Sequence, residues 1–131
     1  MKWLAAGAIA LALLTSQASA EIWTYCGELS SGGAMVPAET SISRDDAGNL
    51  SGNYSFASGE EIHPGTLSRG HLTGPGRWQF TWRDDYGTGR LDLRFNADAS
   101  AFDGVWGTGR DKPQQPWNGK LGVACFAAPT S

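Results

Sequence analysis

Catalysis by side chains needs a base, a nucleophile or a metal cluster, and few residues of this chain could supply one. His63 and His71 are the two histidines, eight residues apart, with Glu60 and Glu61 close by. No common zinc pattern has that spacing. Both flank glycine or proline, so they are expected on exposed loops. Asp84 and Asp85 could act as a carboxylate pair for acid and base work. Within Trp82-Arg83-Asp84-Asp85-Tyr86-Gly87, however, aspartate is a standard turn former, and a hairpin cap is the expected role. Asp45, Asp46 and Asn49 are suitable types for a calcium loop but lack its ligand spacing, so a hairpin turn is expected there too. These residues predict no metal, no cofactor and no enzyme; a hydrolase would need an acid and base pair that the sequence does not present.

Aromatic residues are abundant instead. Past residue 20 there are five tryptophans, Trp23, Trp78, Trp82, Trp106 and Trp117, accompanied by Tyr25, Tyr54, Phe56, Phe80, Tyr86, Phe95 and Phe102. Core packing is the default role for such side chains. Five indoles exceed what filling a small domain requires, and each N–H needs a partner, so some are expected to line a cleft or a partner surface.

The elements that position these residues begin after a leader. Lys2, the apolar run 4–14 and Ala18-Ser19-Ala20 predict a secretory signal peptide over residues 1–20, cleaved after Ala20. That apolar run is shorter than the roughly 18 residues of a membrane-spanning helix, and no other stretch approaches it. Residues 21–131 are then expected as one soluble domain, periplasmic or secreted. Loss of Lys2 leaves nine basic and thirteen acidic side chains, a net charge of −4. No run of Lys and Arg clusters, which argues against a nucleic-acid partner. Cys26 and Cys125, one near each end of that domain and bound for an oxidising compartment, are expected to pair as a structural staple without redox chemistry.

No segment past residue 20 sustains an apolar stripe of helical period, and the chain's eighteen glycines and six prolines interrupt most windows of helix length. Short alternation between turn signals recurs instead, predicting antiparallel strands over 22–29, 39–44, 50–56, 62–68, 77–83, 88–95, 102–106 and 117–126. Tyr54 and Phe56 share a face in the third. Trp78, Phe80 and Trp82 do so in the fifth, Leu91, Leu93 and Phe95 in the sixth, and Trp117, Leu121, Val123 and Cys125 in the eighth. Pro64 and Gly65 suggest a bulge or an edge in the fourth. A meander of eight strands can close on itself and eliminate its edges, so an up-and-down β-barrel is the expected fold, with a β-sandwich as the alternative. In the barrel the first and eighth strands are antiparallel, which would set Cys26 and Cys125 side by side across the seam. Glycines next to aromatics, as in Gly52-Asn53-Tyr54 and Gly104-Val105-Trp106, are expected to let rings cover the curved backbone.

Gly52-Asn53-Tyr54, the run WQFTWRDDY over 78–86, and Trp106 with Trp117 resemble the strand motifs of avidin-like barrels, and of calycin-type barrels generally, over most of the domain. The resemblance implies an eight-stranded up-and-down barrel with an aromatic pocket at one open end. Position by position, it makes Tyr54, Trp82 and Trp106 the pocket aromatics of the third, fifth and seventh strands. The family's polar ligand contacts are replaced. Tyr25 stands where an Asn is expected, Phe56 where a Ser is, Leu91, Leu93 and Phe95 at the sixth-strand positions, and Cys125 at the acidic position. A urea-like group would forgo about 1 to 3 kcal/mol for each buried hydrogen bond lost, which disfavours biotin.

These readings converge on an exported, non-enzymatic binding protein. Its barrel mouth, near Tyr54, Trp82, Phe95 and Trp106, is expected to take a small apolar or aromatic ligand. The alternative is an inhibitor of a secreted hydrolase, a protease or lysozyme, with the barrel as rigid platform and a flexible segment, 30–37 or 110–116, inserted into the enzyme. The oligomeric state is left open.

Overall fold

The structure, a computed structural model, describes residues 21–126; the expected leader falls on residues 1–20, outside the described residues. Eight strands follow one another: β1 (Glu21–Ser31), β2 (Ala34–Arg44), β3 (Leu50–Ser58), β4 (Glu61–Gly74), β5 (Arg77–Asp84), β6 (Gly87–Phe95), β7 (Ala101–Thr108) and β8 (Gln115–Leu121). Each pairs antiparallel with its chain neighbours, and β8 pairs with β1, closing the barrel. The sandwich is thereby excluded. Among the described residues no helix is long and apolar enough to cross a membrane.

Period-two alternation turns one side of each strand inward. Leu50, Gly52, Tyr54 and Phe56 of β3 are buried while Ser51 and Asn53 are exposed, and Leu91 and Leu93 of β6 are buried between exposed Arg90 and Arg94. A barrel with this inward face is filled by side chains and leaves no sheet edge. Pro64, opposite Ser55, lies one residue beyond the ladder with β5, which begins at Gly65, so its missing N–H removes no bond on that side. The irregularities of β4 lie further on: the register slips between Ser68 and His71, where Arg69 adopts a φ of 52°, and again between Leu72 and Gly74.

Three boundaries depart from the sequence expectation. Residues 30–37 form no flexible arm: Gly32 and Gly33 have φ of 61° and 86°, and their two-residue turn leads straight into β2, with Ser31 opposite Ala34. Positive φ at both positions is the type I′ geometry that matches the twist of a hairpin, and Gly-Gly adopts it without strain. His63 and His71 lie on β4 rather than on loops.

The third departure concerns the disulfide. Strand β8 ends at Leu121, and its ladder sets Cys26 opposite Lys120, so Cys125 is not on the strand across the seam. The chain turns after Leu121, with the Gly122 N–H donating to the Thr24 carbonyl at 3.1 Å and Ala124 at a φ of 55°. It thereby returns Cys125 to bond with Cys26, their Cα atoms 5.0 Å apart. Val123, expected inside, is 85 % exposed on this turn.

Register also gathers basic residues that are scattered in sequence. Arg77 stands directly opposite Arg94 on the β5–β6 hairpin, and Arg83 and Arg90 lie on its same exposed outer face. Of these four, Arg90 has an ion-pair partner, Asp92 at 3.6 Å.

The hairpin connections after β1, β3, β5 and β7 crowd one end of the barrel; those after β2, β4 and β6 and the two ends of the described chain lie at the other. This second end is plugged. Tyr25 packs edge-on against Phe102 at 5.2 Å and near Phe95 at 5.9 Å, and its hydroxyl donates to the Ala99 carbonyl at 2.8 Å.

Candidate functional site

At the end opposite the plug the barrel opens into a cavity of about 480 Å³. Its walls come mainly from the odd-numbered strands. Leu29 belongs to β1, Tyr54 and Phe56 to β3, Trp82 to β5, Trp106 to β7 and Trp117 to β8, with Tyr86 and Asp84 at the β5–β6 turn and Ser30 and Ser31 at the end of β1. Odd-numbered strands contribute most of the rings because their inward residues near this end are the large ones, whereas the facing residues on even-numbered strands are often glycine.

Those glycines are what lets the rings lie flat on the wall. Tyr54 is directly opposite Gly65, and a Cβ at Gly65 would overlap the Tyr54 ring. Trp82 is opposite Gly89, whose bare backbone the indole crosses so that its N–H can donate to the Gly107 carbonyl at 2.9 Å. Trp117 is held across β1, its N–H donating to the buried Thr40 hydroxyl of β2 at 3.0 Å. Its ring meets Tyr54 edge-to-face at 4.7 Å, and Trp82 meets Trp106 in the same manner at 5.3 Å. Two edge-to-face pairs with indole N–H groups tied to β7 and β2 make a box that needs little reorganisation to receive a ligand.

The polar groups of the mouth are few. The Tyr54 hydroxyl donates to Asp84 Oδ2 at 2.6 Å, and Asp84 Oδ1 accepts the Tyr86 N–H at 2.8 Å, the turn-capping role expected of this aspartate. Burial, then the hydrogen bond to Asp84 and the negative charge of that carboxylate, push the Tyr54 phenol far above the ordinary tyrosine range, so it stays a neutral donor. Ser30 donates to Gln115 Oε1 at 2.9 Å where β1 and β8 meet at the rim. The Trp106 N–H is buried without a partner, alone among the buried side-chain polar atoms described. At the rim of the cavity Tyr86 is 63 % exposed and packs near His63 at 5.3 Å; His63 in turn stacks on Phe56.

Tyr54, Trp82 and Trp106 are thus brought together as expected, but Phe95 is not with them. Strand β6 leaves the mouth at Gly87 and reaches Phe95 eight residues later, roughly 26 Å along at about 3.3 Å per residue, so Phe95 belongs to the plug with Tyr25 and Phe102. Sequence reasoning left Phe56, Asp84, Tyr86 and Trp117 out of the site. Phe56 shares a face with Tyr54 and Trp117 carries an inward indole near its strand's start, so period two and strand direction together held the signal for both. The place of Asp84 beside Tyr54 had none, since it depends on the register of β3, β4 and β5.

The other sequence candidates are dispersed. Asp85 is exposed in the turn beyond Asp84. Asp45 accepts the N–H groups of Ala47 and Asn49, which hold its carboxyl below the usual range, as a turn does. Residues 110–116 are tied down: Pro113 is buried and the Gln114 N–H donates to the Trp106 carbonyl at 3.1 Å. A second depression, about 440 Å³, lies open on the outer wall across β5, β6 and β7, lined by Arg77, Asp92, Arg94 and Asp103 together with Trp78 and Val105. No protein-family model matches the chain, and no curated protein matches its sequence.

Proposed function

We propose that this is an exported binding protein, without catalytic chemistry of its own, that takes a small ligand with an apolar or aromatic body into the open end of the barrel. The observation that carries the reading is the cavity itself, about 480 Å³ with six aromatic side chains and a single carboxylate on its walls. That volume lies in the range of small-molecule sites, which are concave, mostly apolar and furnished with a few fixed polar groups. The likeness to avidin-like barrels supports the same end of the barrel, through Tyr54, Trp82 and Trp106. The disulfide is compatible with a periplasmic or extracellular location.

Trp82, Trp106 and Trp117 report on occupancy directly. Titration of a panel of aromatic and alicyclic compounds is expected to quench or shift tryptophan fluorescence and to raise the melting temperature, both effects being weakened in Trp82→Ala. If no member of the panel moves either signal, the reading fails.

A further inference from the structure

Resting on the reading of the mouth as a ligand pocket, we infer that its ligand is an organic cation of the alkylammonium class, with the positive group seated between the aromatic rings and Asp84. The side chains lining the cavity include Asp84 and no Lys, Arg or His, so the one formal charge there is negative. A neutral occupant without a hydrogen-bond donor would strip water from that carboxylate and return nothing, whereas a cation compensates the charge it covers. Asp84 has capacity for this. Its two oxygens offer about four lone-pair sites, and two are used, by the Tyr54 hydroxyl and the Tyr86 N–H. Those same bonds fix the carboxylate in place.

The rings answer to the same chemistry. The face of an indole or phenol ring is the negative side of its quadrupole and attracts an ammonium group, most strongly for tryptophan. Trp82 and Trp117 are locked by their N–H bonds to Gly107 and Thr40, so these rings are preset rather than recruited. The approach to the mouth is negative as well. On the connections at this end and the residues beside them, Glu60, Glu61, Asp85 and Asp111 outnumber Arg110 and Lys112, an excess that draws cations inward.

The test compares benzyltrimethylammonium with its uncharged carbon isostere, neopentylbenzene, on the full disulfide-bonded chain, read by tryptophan fluorescence and melting temperature. The cation is expected to bind about tenfold or more tighter than the isostere. Asp84→Asn, in which the amide oxygen still accepts one of the two bonds, is expected to erase most of that preference by weakening the cation, while the isostere, which no longer covers a charge, binds as well or tighter. Should that variant fail to fold, salt replaces it: raising ionic strength in the unaltered protein is expected to weaken the cation and spare the isostere. Equal binding of the two compounds, or tighter binding of the neutral one, overturns the cation assignment and leaves the pocket reading standing. Silence from both also overturns it, and the pocket reading itself falls only if the wider panel is silent too.

Discussion

Trp106 and Trp117 both face the mouth, yet they stand in opposite polar circumstances. The Trp117 N–H bonds to Thr40, which is 1 % exposed, so Trp117→Phe strands a buried hydroxyl as well as losing contact area. Trp106→Phe removes a donor that has no partner. Orphaning a buried group costs about 1 to 3 kcal/mol, so in denaturant melts Trp117→Phe is expected to be the more destabilising by roughly that amount. Tyr54 gives a second residue-level prediction, through pH. Its phenol is held well above the ordinary value of 10.0, and burial moves Tyr25 in the same direction. The folded state therefore favours the protonated phenol, a contribution complete below about pH 10 and lost as pH rises beyond it. Tyr54→Phe should cost about 1 to 3 kcal/mol near neutrality by removing the bond to Asp84. Its deficit relative to the unaltered protein should narrow in melts carried from about pH 8 to above pH 10.

Between neighbouring strands, the recurring unit of this barrel is an inward ring lying over a glycine on the next strand. Tyr54 over Gly65 and Trp82 over Gly89 build the mouth, and Phe102 opposite Gly119 repeats the device at the plug. Glycine weakens a strand taken alone, but here its missing side chain is where the aromatic surface is buried. Gly65→Ala is accordingly expected to displace the Tyr54 ring, break its bond to Asp84 and cost about 1 to 3 kcal/mol, the usual penalty of overpacking. Loss of the edge-to-face contact between Tyr54 and Trp117 should appear in the near-ultraviolet circular dichroism. Gly74→Ala is the control. The nearest atom to its added methyl is the flexible Arg77 side chain at 3.7 Å, so stability should hold or rise slightly as the unfolded chain loses freedom.

Over the whole molecule, the barrel is closed twice, by the β1–β8 ladder and by the Cys26–Cys125 bond, which spans 99 residues of sequence. Because the ladder ends at Leu121 and the disulfide lies beyond it, removing the sulfur bridge leaves every strand pair in place. The double variant Cys26→Ala, Cys125→Ala should therefore keep its β-sheet circular dichroism and lose stability chiefly through a freer unfolded state. Chain-entropy reasoning puts that loss at up to about 4 to 5 kcal/mol for a loop of this length. A rise in the denaturant slope, as the unfolded chain expands, would accompany it. A collapse of the sheet signal in native buffer would instead show that the ladder cannot close the barrel unaided.

Alternation of apolar side chains, the spacing of turn residues and a cysteine near each end of the domain were enough to read an eight-stranded barrel and its disulfide from the sequence. These signals are local or nearly so, because a strand's inward face follows from period two and a turn from its own few residues. The same locality explains the partial view of the mouth: Tyr54, Trp82 and Trp106 could be grouped, but Phe95, inward on its strand, was placed at the wrong end. Which end an inward residue occupies depends on how far along its strand it sits and how that strand is staggered against its neighbours. Only the tertiary structure decided that stagger. It set Asp84 beside Tyr54 across two intervening ladders, sent Cys125 back around a turn to Cys26, and brought Arg77 face to face with Arg94, because cross-strand partners are chosen by the closed register of the whole sheet.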